Sequence, residues 1–144
     1  MIDIRTGKDL KEFSILEEPM VRIYIFLNSK GRIKIGRTKD IYKRYLSLCG
    51  SNGQGNEINK CLVSQSTYLY TLENIMHIKF NKFRIPNTEW FYDKSDSTGE
   101  KLFSEASEYL KLLFSSDSYK KCNNLRKKTL EDNIKNKGGD ADDD

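Results

Sequence analysis

The sequence predicts an α+β domain, with a small antiparallel three-stranded sheet on a β-β-α-β-α core flanked by helices. Three observations predict it. Two short apolar runs, Ile23-Tyr24-Ile25-Phe26-Leu27 and Ile33-Lys34-Ile35, flank the turn-forming Asn28-Ser29-Lys30-Gly31, the pattern of a hairpin. Apolar residues recur at helical spacing over 40–49, 68–80 and 99–116. Strand-like and helix-like stretches are interspersed, with no internal repeat.

In chain order, residues 1–19 form a lead-in. Thr6 or Asp9 can start a short helix there, with Leu10, Phe13 and Leu16 at helical spacing and Pro19 as its stop. The hairpin follows over 21–36, its turn eased by Gly31, which tolerates φ > 0. Thr38 or Asp40 can cap the next helix. In that helix Ile41, Tyr45, Leu48 and Cys49 form one apolar face, with Arg44 at its margin. The loop Gly50-Ser51-Asn52-Gly53-Gln54-Gly55-Asn56 has neither of the common phosphate-loop signatures, though its N–H groups could meet a nucleic-acid backbone. Ile58, Leu62 and Val63 anchor a strand over 57–66.

Over 68–80, Leu69, Leu72, Met76 and Phe80 mark a second helix. Glu73 and His77 are i, i+4 on one side of it. Glu73 lies about 60° around the wheel from Met76, at the edge of the apolar stripe. Pro86-Asn87 signals a turn, and Glu89-Trp90-Phe91-Tyr92 is a short β-prone run. Leu102, Phe103, Ala106, Tyr109, Leu110 and Leu113 share one side of a third helix. Residues 118–144 read as a charged, flexible tail, in which Leu125, Leu130 and Ile134 can support a transient helix.

The 144 residues suit one domain, spanning 20–117, with the lead-in and the tail. Charged residues make up 32%, above the usual share of about 25%. The formal net charge is +4, and four aspartates among the last six residues leave the body more basic than the total. That bias points weakly to a polyanionic partner. No run of 18 apolar residues suggests a membrane span, and the N-terminus lacks the apolar stretch of a secretory signal. Cys49, Cys61 and Cys122 are far apart without a CxxC pair, and His77 is the single histidine. Free thiols in a reducing compartment are expected rather than a zinc site or disulfide. The expected location is cytoplasmic, or nuclear or virion-associated for a eukaryotic virus.

Phosphodiester cleavage needs an activated water, a cation or cationic side chains on the phosphoryl oxygens, and help for the leaving oxygen. The chain offers residue types for each. Tyr24 and Lys34 lie on the hairpin, Arg44 on the first helix, and Glu73 and His77 on the second. Each alone has a plainer reading: cross-strand packing for Tyr24, a surface strand position for Lys34, snorkelling for Arg44, a helical pair for Glu73–His77.

Taken in order, these residues resemble the GIY-YIG nuclease superfamily. Ile23-Tyr24 stands for its first motif, and Lys34-Ile35-Gly36 for its second. The segment from Arg37 to Leu46 is similar to the one that leads to the family's arginine, here Arg44. Leu72-Glu73-Asn74-Ile75-Met76-His77 is similar to the helix that holds its metal-binding glutamate, here Glu73. With Glu89-Trp90-Phe91, the run from Tyr24 to Phe91 is closest to a phage- and virus-associated subgroup with a KIG second motif. Arg22 stands where the first motif has glycine. Leu48 stands where many members have a proton-transfer residue, for which His77 is the candidate. The family's terminal asparagine has only Asn81 and Asn87 as candidates.

The resemblance implies that 20–117 is a nuclease domain that hydrolyses DNA phosphodiester bonds with Mg²⁺ or Mn²⁺ held by Glu73. Tyr24, Lys34, Arg44, Glu73 and His77 are then the catalytic set, expected on one concave face. Arg37, Lys39, Lys43 and Tyr45 are expected to hold the DNA, with Lys120, Lys121, Arg126, Lys127 and Lys128 of the tail either a solvated helix face or a further arm. DNA is the expected partner, without a membrane, and a protein partner could supply targeting. A non-catalytic nucleic-acid-binding module on the same scaffold is the alternative.

Overall fold

A computed structural model describes residues 1–50 and 57–142, with side chains as far as residue 135. One antiparallel sheet contains β1 (Arg22–Asn28), β2 (Ile33–Thr38), β3 (Ile58–Val63) and β4 (Trp90–Phe91) in the order β3-β1-β2-β4. The helices are α1 (Ile41–Gly50), α2 (Thr71–Lys79), α3 (Glu100–Ser115) and α4 (Asp117–Asp142). The α+β expectation holds, but the sheet has four strands rather than three. The added strand is the two-residue β4, which pairs Phe91 with Ile33 and Trp90 with Lys34. Two residues are too few to show a period, so only the exposed edge of β2 reveals the pairing.

The hairpin follows from local chemistry. Asn28 Oδ1 accepts from the amides of Lys30 (3.0 Å) and Arg32 (2.9 Å), and Gly31 has φ 76°. Central β1 is buried from Ile23 onward because both faces of the sheet are covered. Ile23, Ile25 and Leu27 pack with Leu72 and Met76 of α2 and Leu102, Ala106 and Leu110 of α3. Tyr24 and Phe26 face the other way, with Leu10, Ile41, Cys61 and Val63. A strand buried on both faces reads as an unbroken apolar run, which explains Ile-Tyr-Ile-Phe-Leu.

Asp40 is the cap of α1: its Oδ1 accepts from Lys43 N at 3.1 Å. The lead-in contains one 3₁₀ turn, Leu10–Glu12, capped by Asp9. A longer helix does not form because the chain turns extended at Phe13 and Leu16 N donates to Lys39 O at 2.9 Å, while residues 2–6 are drawn to the edge of β3. Buried Asp3 accepts from Val63 N at 2.7 Å and Thr6 Oγ1 at 2.6 Å, and Ile4 N donates to Cys61 O at 3.0 Å. Helix α4 runs through the charged segment, docked at its start. Tyr119 is buried against Phe114, and Asn123 Oδ1 accepts from Thr67 Oγ1 (3.0 Å) and Tyr68 N (2.8 Å). Beyond it Leu125 and Ile134 are exposed. The three cysteines are free thiols. The glycine-rich loop reading falls on 51–56, outside the described residues. Among the described residues, no helix is long and apolar enough to cross a membrane.

Candidate functional site

A polar cleft of about 390 Å³ lies where β1, β2, α1, α2 and the lead into β4 meet. Tyr24, Gly36, Arg37, Arg44, Glu73, Asn74 and Glu89 line it. Three of the five residues expected to share a concave face, Tyr24, Arg44 and Glu73, therefore do. Lys34 and His77 do not line the cleft; each stands behind a carboxylate that does.

Tyr24 arrives from the buried strand opposite Gly36. Its ring stacks on Phe26, with centroids 4.7 Å apart, and it is almost wholly buried. A side chain at position 36 would collide with the ring and its hydroxyl. The glycine of the second motif is thus the space that the tyrosine of the first occupies. Burial pushes the Tyr24 phenol up to about 12, with Arg44 pulling the other way and Glu89 and Glu73 reinforcing the rise.

Glu73 sits on the first turn of α2, its side chain 13% exposed. Arg37 Nε lies 3.7 Å and His77 Nε2 3.8 Å from its carboxylate oxygens. Burial pushes the Glu73 carboxyl above its ordinary value, against the pull of His77 and Arg37. His77 Nε2 is 2.7 Å from Ile35 O. A carbonyl only accepts, so Nε2 carries the proton, and the imidazole is locked between α2 and β2 with Phe91 against its ring.

Glu89 enters the cleft because β4 pairs with β2. Lys34 Nζ lies 3.5 Å from Glu89 Oε2 and 5.4 Å from the centre of the Trp90 ring. Glu89 and Asn74 were not singled out from the sequence as site residues, although both lie in stretches read for the resemblance. The pairing of Trp90 with Lys34 is the signal that places Glu89. Arg37 stacks over Tyr70 at 4.8 Å. Exposed Lys39 pairs with Glu18 at 3.3 Å, Lys43 is exposed, and Tyr45 packs edge-on to Phe26. Asn81 lies in a 3₁₀ turn, Asn87 in a turn with φ 63°, and neither lines the cleft.

The family model described as the T5orf172 domain matches residues 22–110, more than half of the chain. The chain belongs to the T5orf172 domain family. This is a phage-associated domain found in some nuclease-like proteins. No curated protein and no solved structure matches the chain. The T5orf172 span opens at the start of β1 and closes within α3, so it contains every residue of the cleft.

The donors on the cleft suit a hard divalent cation: the Glu73 and Glu89 carboxylates, the Tyr24 hydroxyl and the Asn74 amide all offer oxygen. Among the described residues, Glu73 has Arg37 and His77 beside it, both at distances longer than a hydrogen bond. Among the described residues, no group of three or more His, Cys, Asp or Glu is gathered as a metal cage. A cation here would have one or two carboxylates and fill its other positions with water and substrate oxygens, as Mg²⁺ commonly does.

Proposed function

We propose that this T5orf172 protein is a divalent-metal-dependent endonuclease that hydrolyses DNA phosphodiester bonds at a single-metal site of the GIY-YIG type. The observation that carries the reading is the convergence of Tyr24, Arg44 and Glu73 on one polar cleft, from a strand and two helices. Packing alone does not require a tyrosine hydroxyl, a guanidinium and a largely buried carboxylate to meet.

Arg44 presents a planar fork to the scissile phosphate. Glu73 would hold Mg²⁺ or Mn²⁺, with Glu89 as the second carboxylate, and the ion when bound supplies charge stabilisation at the phosphoryl oxygens. His77 stands beside Glu73 with its Nε2 proton committed to Ile35 O. Lys34 places its ammonium 3.5 Å from Glu89. With its phenol pushed to about 12, Tyr24 keeps its proton at neutral pH and orients a water by hydrogen bonding. Arg37, Lys39 and Lys43 contribute sequence-independent attraction to the backbone.

One observation favours the second reading, a nucleic-acid-binding module without chemistry. His77 is locked by Ile35 and Tyr24 retains its proton, so the cleft's proton acceptors are its two carboxylates. Plasmid nicking separates the readings. A nuclease nicks supercoiled DNA with Mg²⁺ or Mn²⁺ and not with EDTA, and Glu73→Gln stops the nicking while DNA binding persists. Binding without cleavage under any metal would leave the module reading. Cleavage unchanged in Glu73→Gln and Arg44→Ala would overturn this site.

A further inference from the structure

Residues 83–92 form a small hairpin beyond the sheet edge. Ile85 N donates to Trp90 O at 2.9 Å and Tyr92 N to Phe83 O at 2.8 Å, and Arg84 bridges Phe91. Near its turn this hairpin delivers Glu89 to the cleft. Toward its open end it lines a separate groove of about 590 Å³. Glu89 and Tyr92 are three residues apart, about 10 Å along a strand, so cleft and groove are neighbours on one edge of the molecule.

The groove has its own chemistry. Lys82, Arg84 and Lys94 line it and are exposed. Among the described residues none of the three forms an ion pair with a carboxylate. Arg84 gives one N–H to Thr88 O at 2.7 Å, which leaves four donors of its guanidinium. Asp93 also lines the groove, but its carboxylate is engaged, with Oδ1 accepting from Ser95 N and Oγ at 2.9 and 2.7 Å. Phe83 and Tyr92 are half-buried beside these cations, with Lys82 Nζ 4.9 Å from the centre of the Phe83 ring.

Unpaired cations interleaved with aromatic faces suit a nucleic-acid strand whose bases are free to stack. A duplex offers phosphates to the cations but keeps its base faces stacked on one another, out of reach of Phe83 and Tyr92. We infer that the groove between residues 82–86 and 92–94 binds a single-stranded nucleic-acid segment continuing from the cleft, with Lys82, Arg84 and Lys94 on its phosphates and Tyr92 and Phe83 against its bases. This rests on the nuclease reading for its biological sense. It would make DNA with an unpaired flank a better substrate of the cleft than fully paired duplex.

Fluorescence anisotropy in EDTA tests this without cleavage. The probes are a labelled short oligothymidylate, a blunt duplex, and the same duplex with a single-stranded overhang. The combined variant Lys82→Ala, Arg84→Ala, Lys94→Ala is expected to bind the oligothymidylate and the overhang about tenfold or more weakly. Its salt slope should fall by about 2, from three phosphates at about 0.7 each. Tyr92→Leu, which retains an apolar side chain, is expected to lose about tenfold on the same probes with an unchanged slope. Blunt-duplex binding should change by less than about threefold in both. Unchanged single-strand binding, equal losses on blunt duplex, or wild-type protein that ignores oligothymidylate would each overturn the inference. Loss of nicking in Glu73→Gln is independent of all three results, so the groove and the catalytic reading fail separately.

Discussion

The substitution Gly36→Ala tests how the cleft is built. Position 36 lies opposite Tyr24 in the β1–β2 ladder. A Cβ there would sit 2.5 Å from Cζ and 3.0 Å from Cε2 of the Tyr24 ring, and closer still to the hydroxyl oxygen. Carbon atoms rest comfortably about 3.5–4.0 Å apart, so the ring must withdraw by about 1 Å. It has little room, because it is 2% exposed and stacked on Phe26. Overpacking of this kind costs about 1–3 kcal/mol, a fall in Tm of roughly 3–10 °C for a chain of this length. Displacing the hydroxyl by about 1 Å should also slow nicking about 10²-fold. Thermal melting and single-turnover nicking read the two effects separately. Tyr24→Phe removes the nearest clashing atom, so Gly36→Ala should destabilise that background less, a coupling that a double-mutant cycle measures. A Gly36→Ala protein with wild-type Tm, or an equal loss in both backgrounds, would refute the reasoning.

Three further outcomes are expected. Glu73→Gln abolishes nicking yet raises the Tm at neutral pH. The folded state holds the Glu73 proton more tightly than the unfolded chain, so it binds more protons just above the ordinary glutamate range and wild-type stability declines as pH rises through that window; melts from about pH 4 to pH 7 should show a smaller decline in the variant. Arg44→Ala lowers kcat/KM by about 10²–10³, and Arg44→Lys restores only part of it because the ammonium lacks the planar fork; steady-state nicking distinguishes these. Asp3→Ala removes the acceptor of the buried Val63 amide and should cost about 1–3 kcal/mol in urea melts, with nicking unaffected below the midpoint.

Local chemistry carried most of what could be read in advance. Asn28, Gly31 and Asp40 act within a few residues of themselves, so the hairpin and the start of α1 are legible from composition and spacing. Helices α2 and α3 are legible because their apolar faces repeat at helical spacing over several turns. What escaped the sequence is set by long-range pairing. The β-prone run at Glu89-Trp90-Phe91-Tyr92 was legible, but its pairing with the free edge of β2 as β4 was not, because two residues cannot announce a partner. The lead-in loses its longer helix because Leu16 N finds Lys39 O, 23 residues away, with Phe13 extended before it. Helix α4 is anchored by Asn123 on Thr67 and Tyr68, contacts that a charged stretch of low apolar content does not display.

The same division holds at the cleft. Tyr24, Arg44 and Glu73 were legible as an ordered set, with Arg44 and Glu73 each at the margin of an apolar helix face. Lys34 and His77 look equivalent in sequence, yet pairing turns them toward Glu89 and Glu73 and away from the lining of the cleft. Glu89 follows the register of β4, so its arrival was as hidden as the pairing of that strand with β2. The hairpin that delivers it also shapes the basic groove, whose Lys82, Arg84 and Lys94 are scattered over 13 residues of sequence.

The most direct test of the central claim is an anomalous difference map from a crystal grown with Mn²⁺ at a concentration that supports nicking. The account predicts a peak in the cleft at coordination distance from a Glu73 oxygen, absent in crystals of Glu73→Gln. A cleft without a peak, or manganese bound elsewhere while nicking proceeds, would contradict it.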